Sequence, residues 1–480
     1  MSINLSYIYI ISFILTFFPM FVLYIKKGTN GNIYISLLLL VILYLLFIVY
    51  KPNYFKKFLT KFLSIPTTKY YLTFLGFVIL SLTIHIILGH YGASIAFYAV
   101  RIYKFFVATI LVYLLPLLGL MIGIKFKNIL KLFILIIWFI CFVSIIQYLS
   151  FLLEIKFLIY IFDFFTNART ALYLNSLSVQ EGLRAYAFFS EPSALGQFIF
   201  LIMPFAIIIP KTKELITQNK LIDWIIKKTF IPFMLLAVIF TKSPIFLVLC
   251  LIEFPILLFI NNWGKIKKYL FPIITFIVCF LLFSCLILIL YKNQLEQTYI
   301  FRIFKTIYSF GDYNKLVLLE PSLATRIFSY SIQLVAFLKV PIFGCGLNNA
   351  EFFVNPFYLS EAPLPLTPEN FYLGYLHNSN LCSLNRSIVY TSLAEFGLVG
   401  FSIYLFFIIK NIKFLTNIKD YFIDFEYNFL IALIQTFITT FIISFYNLSI
   451  DNAIVWLIYG FAIIFIIFYR HNAKGIQWKK

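Results

Sequence analysis

Charge is what this 480-residue chain has least of. Only 12% of its residues are charged and 62% are hydrophobic, with a mean hydropathy of +0.98. A soluble chain would be about one quarter charged, so a water-soluble globular fold is excluded. Acids are scarcest: 18 Asp and Glu stand against 38 Lys and Arg, a formal charge of +20. That surplus does not form a nucleic-acid surface. The lysines lie in short runs between apolar stretches, with no basic domain to hold a polynucleotide, and such a distribution reports membrane topology. The six cysteines show no Cys-x-x-Cys and no Cys/His cluster, which argues against a metal site. A cleavable signal is missing too. The first apolar stretch, about 5–25, has neither a basic leader nor a small-residue cleavage site and reads as a retained helix. The related halves typical of secondary transporters are also lacking.

What the chain has in abundance is apolar runs, each able to cross about 30 Å of hydrocarbon. The run Ile33–Tyr50 carries no charge. Lipid cannot satisfy backbone N–H and C=O groups, so such runs must be helical. The expected fold is an all-α polytopic membrane protein, a single integral domain over 1–480 with about twelve spans. These fall near 5–25, 33–50, 70–89, 104–124, 129–151, 193–210, 229–241, 244–260, 269–291, 388–409, 427–446 and 452–469. With the N-terminus inside, the cytoplasmic loops and tail hold 23 Lys and Arg, against 8 in the short segments of the opposite side. Both termini are therefore expected in the cytoplasm.

Two segments on the other side are long, 154–192 and 292–387, and both have the aromatics, Pro and Gly of folded structure. Long ordered segments on one face usually build a site or a lid. Within the second, 322–340 has the spacing of an amphipathic helix, with Ile327, Tyr330, Leu334 and Phe337 or Leu338 on its apolar side.

In so uncharged a chain, the ionisable groups of these segments are the candidates for chemistry. Ser190-Glu191-Pro192 is a helix start that would aim a positive dipole end at the outer interface, with Arg184 above it. That end suits an anion, and a guanidinium fork suits a phosphate; Arg184 equally fits a side chain snorkelling to headgroups. Arg326 lies on the amphipathic segment, ahead of Gly344-Cys345-Gly346, a turn that permits close backbone approach to a ligand. His377-Asn378 stands where the second long segment enters a span, a place for a proton acceptor or a helix cap. Glu395 lies within that span, where a carboxylate usually faces a cavity or a partner, and Gly397 and Gly400 allow close packing. Lys242, Glu253 and His85 read chiefly as packing or snorkelling residues, and Arg302 and Lys305 as surface. Cys345 and Cys382 share one side and are free to pair or not.

Taken together, Arg184…Phe189-Ser190-Glu191-Pro192-Ser193, Arg326…Pro341-Ile342-Phe343-Gly344-x-Gly346 and His377-Asn378-Ser379…Glu395-Phe396-Gly397-Leu398-Val399-Gly400 resemble the O-antigen polymerase (Wzy) and O-antigen ligase superfamily. The resemblance covers roughly residues 180–405 and rests on short motifs in shared order. It implies a GT-C-like glycosyltransferase of the bacterial inner membrane, with its active site facing the periplasm. The donor and acceptor would be undecaprenyl-diphosphate-linked glycans, with no metal and no cofactor, and a flippase and a chain-length regulator would be further partners. On this pattern His377 and Glu191 would be catalytic and Arg184, Arg326 and Lys242 would hold the diphosphate. Glu395, Asn378, Gly344 and Gly346 would support them. A ligase acting on lipid A core and a lipid-linked oligosaccharide flippase are the alternative readings.

Overall fold

A computed structural model describes residues 5–17, 22–24, 32–88, 102, 103, 105–159, 161, 184–189, 192–261, 321–347, 349, 350, 387–445 and 452–473. These residues are overwhelmingly helical. Seven described helices are long and apolar enough to cross a membrane, and eight if one bent pair is a single span.

The first helix, α1 (Leu5–Leu15), is shorter than the expected first span. Pro19 follows in the sequence and disfavours helix in the residue before it. Instead, β1 (Val22–Tyr24) pairs antiparallel with β2 (Asn32–Tyr34), the only strands among the described residues. The chain then enters α2 (Ile35–Tyr50) and turns by 112° into α3 (Pro52–Leu63), a helix where a loop was expected. Pro52 opens α3 at a first-turn position, where its missing N–H costs nothing.

The central group follows with α4 (Thr68–Ile87), α5 (Val107–Ile122), α6 (Phe126–Leu152) and α7 (Pro192–Ile208). The first six residues of α5 are π-helical. A π turn shifts the backbone ladder, and two phenols bind carbonyls there: Tyr71 donates to Thr109 O at 2.7 Å and Tyr44 to Leu111 O at 2.9 Å.

Next come α8 (Lys220–Thr241) and α9 (Pro244–Asn261). The sequence pattern started α8 at 229, because Lys220, Asp223, Lys227 and Lys228 read as loop. Its start is fixed by Asn219, whose side chain accepts from the N–H groups of Leu221 and Ile222. The remaining helices are α10 (Pro321–Lys339), α11 (Ile388–Ile418), α12 (Asp424–Ile443) and α13 (Ala453–Ala473).

Burial sorts these helices into layers. The spans of α7 and α13 are 89% and 78% buried, whereas those of α4 and α8 are only 33% buried. The first pair is apolar all round and forms the centre; the second keeps an apolar face for lipid. Gly460 of α13 lets it lie against α5, since a Cβ there would stand 2.2 Å from Tyr113 O. Around that seam Trp456, Tyr71, Tyr113 and Phe407 pack edge to face or stacked, with Tyr71 and Tyr113 4.2 Å apart.

Helix ends fall into two bonded sets. At one end Lys127 of α6 pairs with Glu214 at 2.9 Å and Glu426 at 3.2 Å, and Arg470 donates to Ser64 O. At the other, Ser387 donates to Ser444 O at 2.7 Å. This assortment matches the alternation expected from the lysines, and the first set is the lysine-rich one.

Candidate functional site

Two clusters gather residues singled out in the sequence, both at the lysine-poor end. The first is built on α6 and α8. The amide Oε1 of Gln147, completely buried near the end of α6, accepts the backbone N–H groups of Tyr186 at 2.8 Å and Ala187 at 2.7 Å. Ala185 N–H donates to Phe240 O at 2.8 Å, so the 184–187 strip is laced to both helices. The strip delivers Arg184 to the C-terminus of α8. There its Nε donates to Thr241 O at 3.0 Å and an Nη to Lys242 O at 2.8 Å. Those carbonyls end a helix and carry the negative pole of its dipole, which favours a cation.

Lys242 ends α8 in the left-handed region (φ 45°, ψ 38°), unusual for a residue with a Cβ. Its Nζ stands 5.8 Å from the centre of the Tyr148 ring, which stacks on Phe240 at 4.0 Å. No carboxylate pairs with Lys242 among the described residues. Burial and, second, the charge of Arg184 push its ammonium below the ordinary lysine range. Arg184 and Lys242 thus bring two half-buried cationic groups to one helix end. Such a pair draws in a polyanion and stabilises negative charge that develops on it.

The second cluster is an interlock of backbones. The turn after α10 carries Gly344 (φ 74°) and Gly346 (φ 92°), and α11 is broken at Gly397 (φ 63°, ψ −168°). Across the break Cys345 N–H donates to Ala394 O and Gly346 N–H to Glu395 O, at 2.8 and 3.0 Å. In return Leu398 N–H donates to Pro341 O and Val399 N–H to Ile342 O, at 2.8 and 3.1 Å. The groups orphaned by the break are therefore satisfied by the turn, as buried backbone requires. The close approach that the glycines allow is to α11, because a Cβ on Gly344 would lie 2.3 Å from Glu395 C. On the other side Gly346 meets His85 of α4, whose Cδ2 would stand 2.7 Å from a Cβ placed there. Glu395 is buried at this junction and Cys345 is a buried free thiol, not a bridged one.

Tyr330 of the apolar side packs on α11, and small and polar positions of α10 pack with it. The buried positions are Ser329, Gln333 and Ala336, whereas Leu334 is 42% and Leu338 66% exposed. Gln333 Nε2 donates to Thr391 Oγ1 at 2.9 Å and Tyr330 stacks on Tyr390 at 4.9 Å, so α10 runs alongside the first turns of α11.

The remaining candidates divide. Glu253 is buried in α9 and accepts from Thr439 Oγ1 at 2.5 Å, tying α9 to α12. Gly400 fits against Phe77 of α4, as close packing requires. Arg326 falls within α10. Glu191, His377, Asn378, Cys382, Arg302, Lys305 and the expected span 269–291 lie outside the described residues. Gln147 was missed by the sequence reading, although an amide deep in an apolar run is a usable signal.

Comparison of the chain with protein-family models, with characterised proteins and with solved structures returns no match.

Proposed function

We propose that this protein is a membrane glycosyltransferase that polymerises undecaprenyl-diphosphate-linked oligosaccharide units at the periplasmic face, as its resemblance to O-antigen polymerases implies. The observation that carries this reading is the Arg184–Lys242 pair at the end of α8. Glycosyl transfer from a lipid diphosphate breaks the anomeric C–O bond and leaves charge on the diphosphate. Two cations positioned where that charge develops would stabilise it more in the transition state than in the ground state. The acceptor hydroxyl forms the new C–O bond and gives its proton to a base. His377 is the first choice for that base, with Glu191 as rival, because imidazole titrates near neutral pH. The left-handed Lys242 adds support, since backbone strain of this kind collects at functional sites.

The test is the glycan made by a deletion strain carrying single variants. Deletion should leave one repeat unit on the core; core with no repeat unit would instead point to a ligase or flippase. Lys242→Asn tolerates the left-handed turn and removes the charge, and should lower polymerisation roughly 10²–10³-fold. Arg184→Lys keeps the charge but loses the fork and should be nearly as impaired as Arg184→Ala. Normal polymer from all three variants would sink the proposal.

A further inference from the structure

The lysine-rich end of the bundle holds a cleft that the proposed reaction does not use. It lies between the start of α4 and the last turns of α11 and has a volume of about 240 Å³. Lys69 comes from the first side, Lys410 and Lys413 from the second, with Tyr70 and Asn417 between them. The spacing 410, 413, 417 puts the α11 residues on one stripe of that helix. Lys69 and Lys410 both lie over the Tyr70 ring, 5.2 and 5.9 Å from its centre. No acid lines the cleft, and none of the three lysines is paired with a carboxylate among the described residues.

A second, independent feature points to a missing partner. Thr67 is the N-cap of α4 and lines the cleft, yet its side chain makes no capping bond. It is only 2% exposed, and its Oγ1 has no hydrogen-bond partner among the described residues. Other buried hydroxyls, such as those of Ser12 and Ser81, also lack a partner, but that of Thr67 stands in a cleft beside three lysines, and this juxtaposition marks a place for oxygen-rich ligand atoms. The N-terminus of the 20-residue α4 opens at the same point and adds its positive pole.

We infer that this cleft binds a phosphate group, carried by the headgroup of an anionic phospholipid in the leaflet on the lysine-rich side. Anionic lipid is drawn to clustered lysines at such a surface. The neighbouring α3 adds exposed Lys56 and Lys57 and exposed Leu59 and Leu63, a surface made to lie at headgroup level. Soluble phosphate is the other source of the same chemistry.

The experiment uses the purified full-length protein in neutral detergent, titrated with phosphatidylglycerol, phosphatidylcholine or inorganic phosphate. Retained lipid is read by native mass spectrometry and stabilisation by the thermal midpoint. Phosphatidylglycerol should be retained and raise the midpoint, while phosphatidylcholine should do neither. Lys410→Gln with Lys413→Gln should weaken phosphatidylglycerol about 25-fold, roughly fivefold per lysine. Lys228→Gln, exposed on the same side but outside the cleft, should change it less than about twofold on the same basis. Thr67→Val separates ligand from structure. Removing the orphan hydroxyl should raise the midpoint in detergent yet shrink the increment that phosphatidylglycerol adds. It also serves as the test if the lysine double variant fails to accumulate. Stabilisation by millimolar phosphate that displaces the lipid would assign the site to soluble phosphate. Equal retention of both lipids with no effect of phosphate, or full retention by the double variant, would overturn the inference. An unchanged lipid increment in Thr67→Val would overturn it as well.

Discussion

At the scale of single residues, the interlock at Gly397 makes the sharpest demand. Its φ of 63° belongs to glycine, and a Cβ there would sit 2.3 Å from Ile342 O. Strain and overpacking each cost about 1–3 kcal/mol, so Gly397→Ala should markedly lower the thermal midpoint in detergent. Gly76→Ala is the control. Gly76 lies in α4 with nothing within 4 Å of the would-be Cβ, and this change should leave the midpoint unaltered or slightly raised. Equal loss in both would mean that the break at Gly397 is not held by the turn. Sequence alone marked these glycines as places of close approach, but not what approaches. That depends on a turn some fifty residues earlier in the chain.

At the scale of elements, α10 shows what helical periodicity leaves open. Periodicity located the helix to within a residue at each end and gave it an apolar side, but not the residues that meet α11. Leu334 and Leu338 are exposed, and Gln333 makes the contact to Thr391. A double-mutant cycle on Gln333→Leu and Thr391→Val should give a coupling of about 0.5–1.5 kcal/mol, the net worth of a typical hydrogen bond. Leu338→Ala should cost less than about 0.5 kcal/mol, as an outward-facing change does. Zero coupling, with Leu338→Ala the more damaging change, would mean that α10 meets its neighbours through its apolar side instead.

Across the whole molecule, charge is concentrated in a clamp at the lysine-rich end. Lys127 and Lys131 both reach Glu214, at 2.9 and 3.1 Å, while Asp424 accepts from the backbone N–H groups of Lys213 and Glu214. Burial pushes the Glu214 carboxyl up, but hydrogen bonds and charge from Lys127 and Lys131 outweigh it and hold the group below the usual carboxylate range. A carboxyl lowered on folding stabilises above its unfolded value near about 4.3 and loses that contribution as pH falls through the folded value. Thermal midpoints from pH 7 downward should therefore fall less steeply in Glu214→Gln than in the parent. Parallel curves would remove Glu214 from the clamp. Orientation is testable at the same scale. A reporter that works only in the periplasm, fused after Asn349, should be active, and activity only from a cytoplasmic reporter would invert the topology.

Composition and hydropathy by themselves determined the class of this protein, because hydrocarbon leaves apolar runs no choice but helix. They also placed the spans to within a few residues wherever a run was uninterrupted, as for α2, α4 and α7. Lysine spacing sorted the helix ends into the two sets that the bonds then show. Tertiary structure alone decided the rest. It extended α8 back to Lys220, where charges bonded to neighbouring elements had read as loop. It ended α1 early and folded the expected loop after α2 into α3. It brought Arg184 to Lys242 and the Gly344–Gly346 turn into the break of α11, pairings made between residues 49 to 58 positions apart. The physical reason is common to all of these. Hydropathy records the free energy of moving a residue between water and lipid, a property of that residue and its near neighbours. Which carbonyl an arginine caps, or which helix breaks to admit a turn, is set by hydrogen bonds between distant segments, and the local pattern carries no record of them.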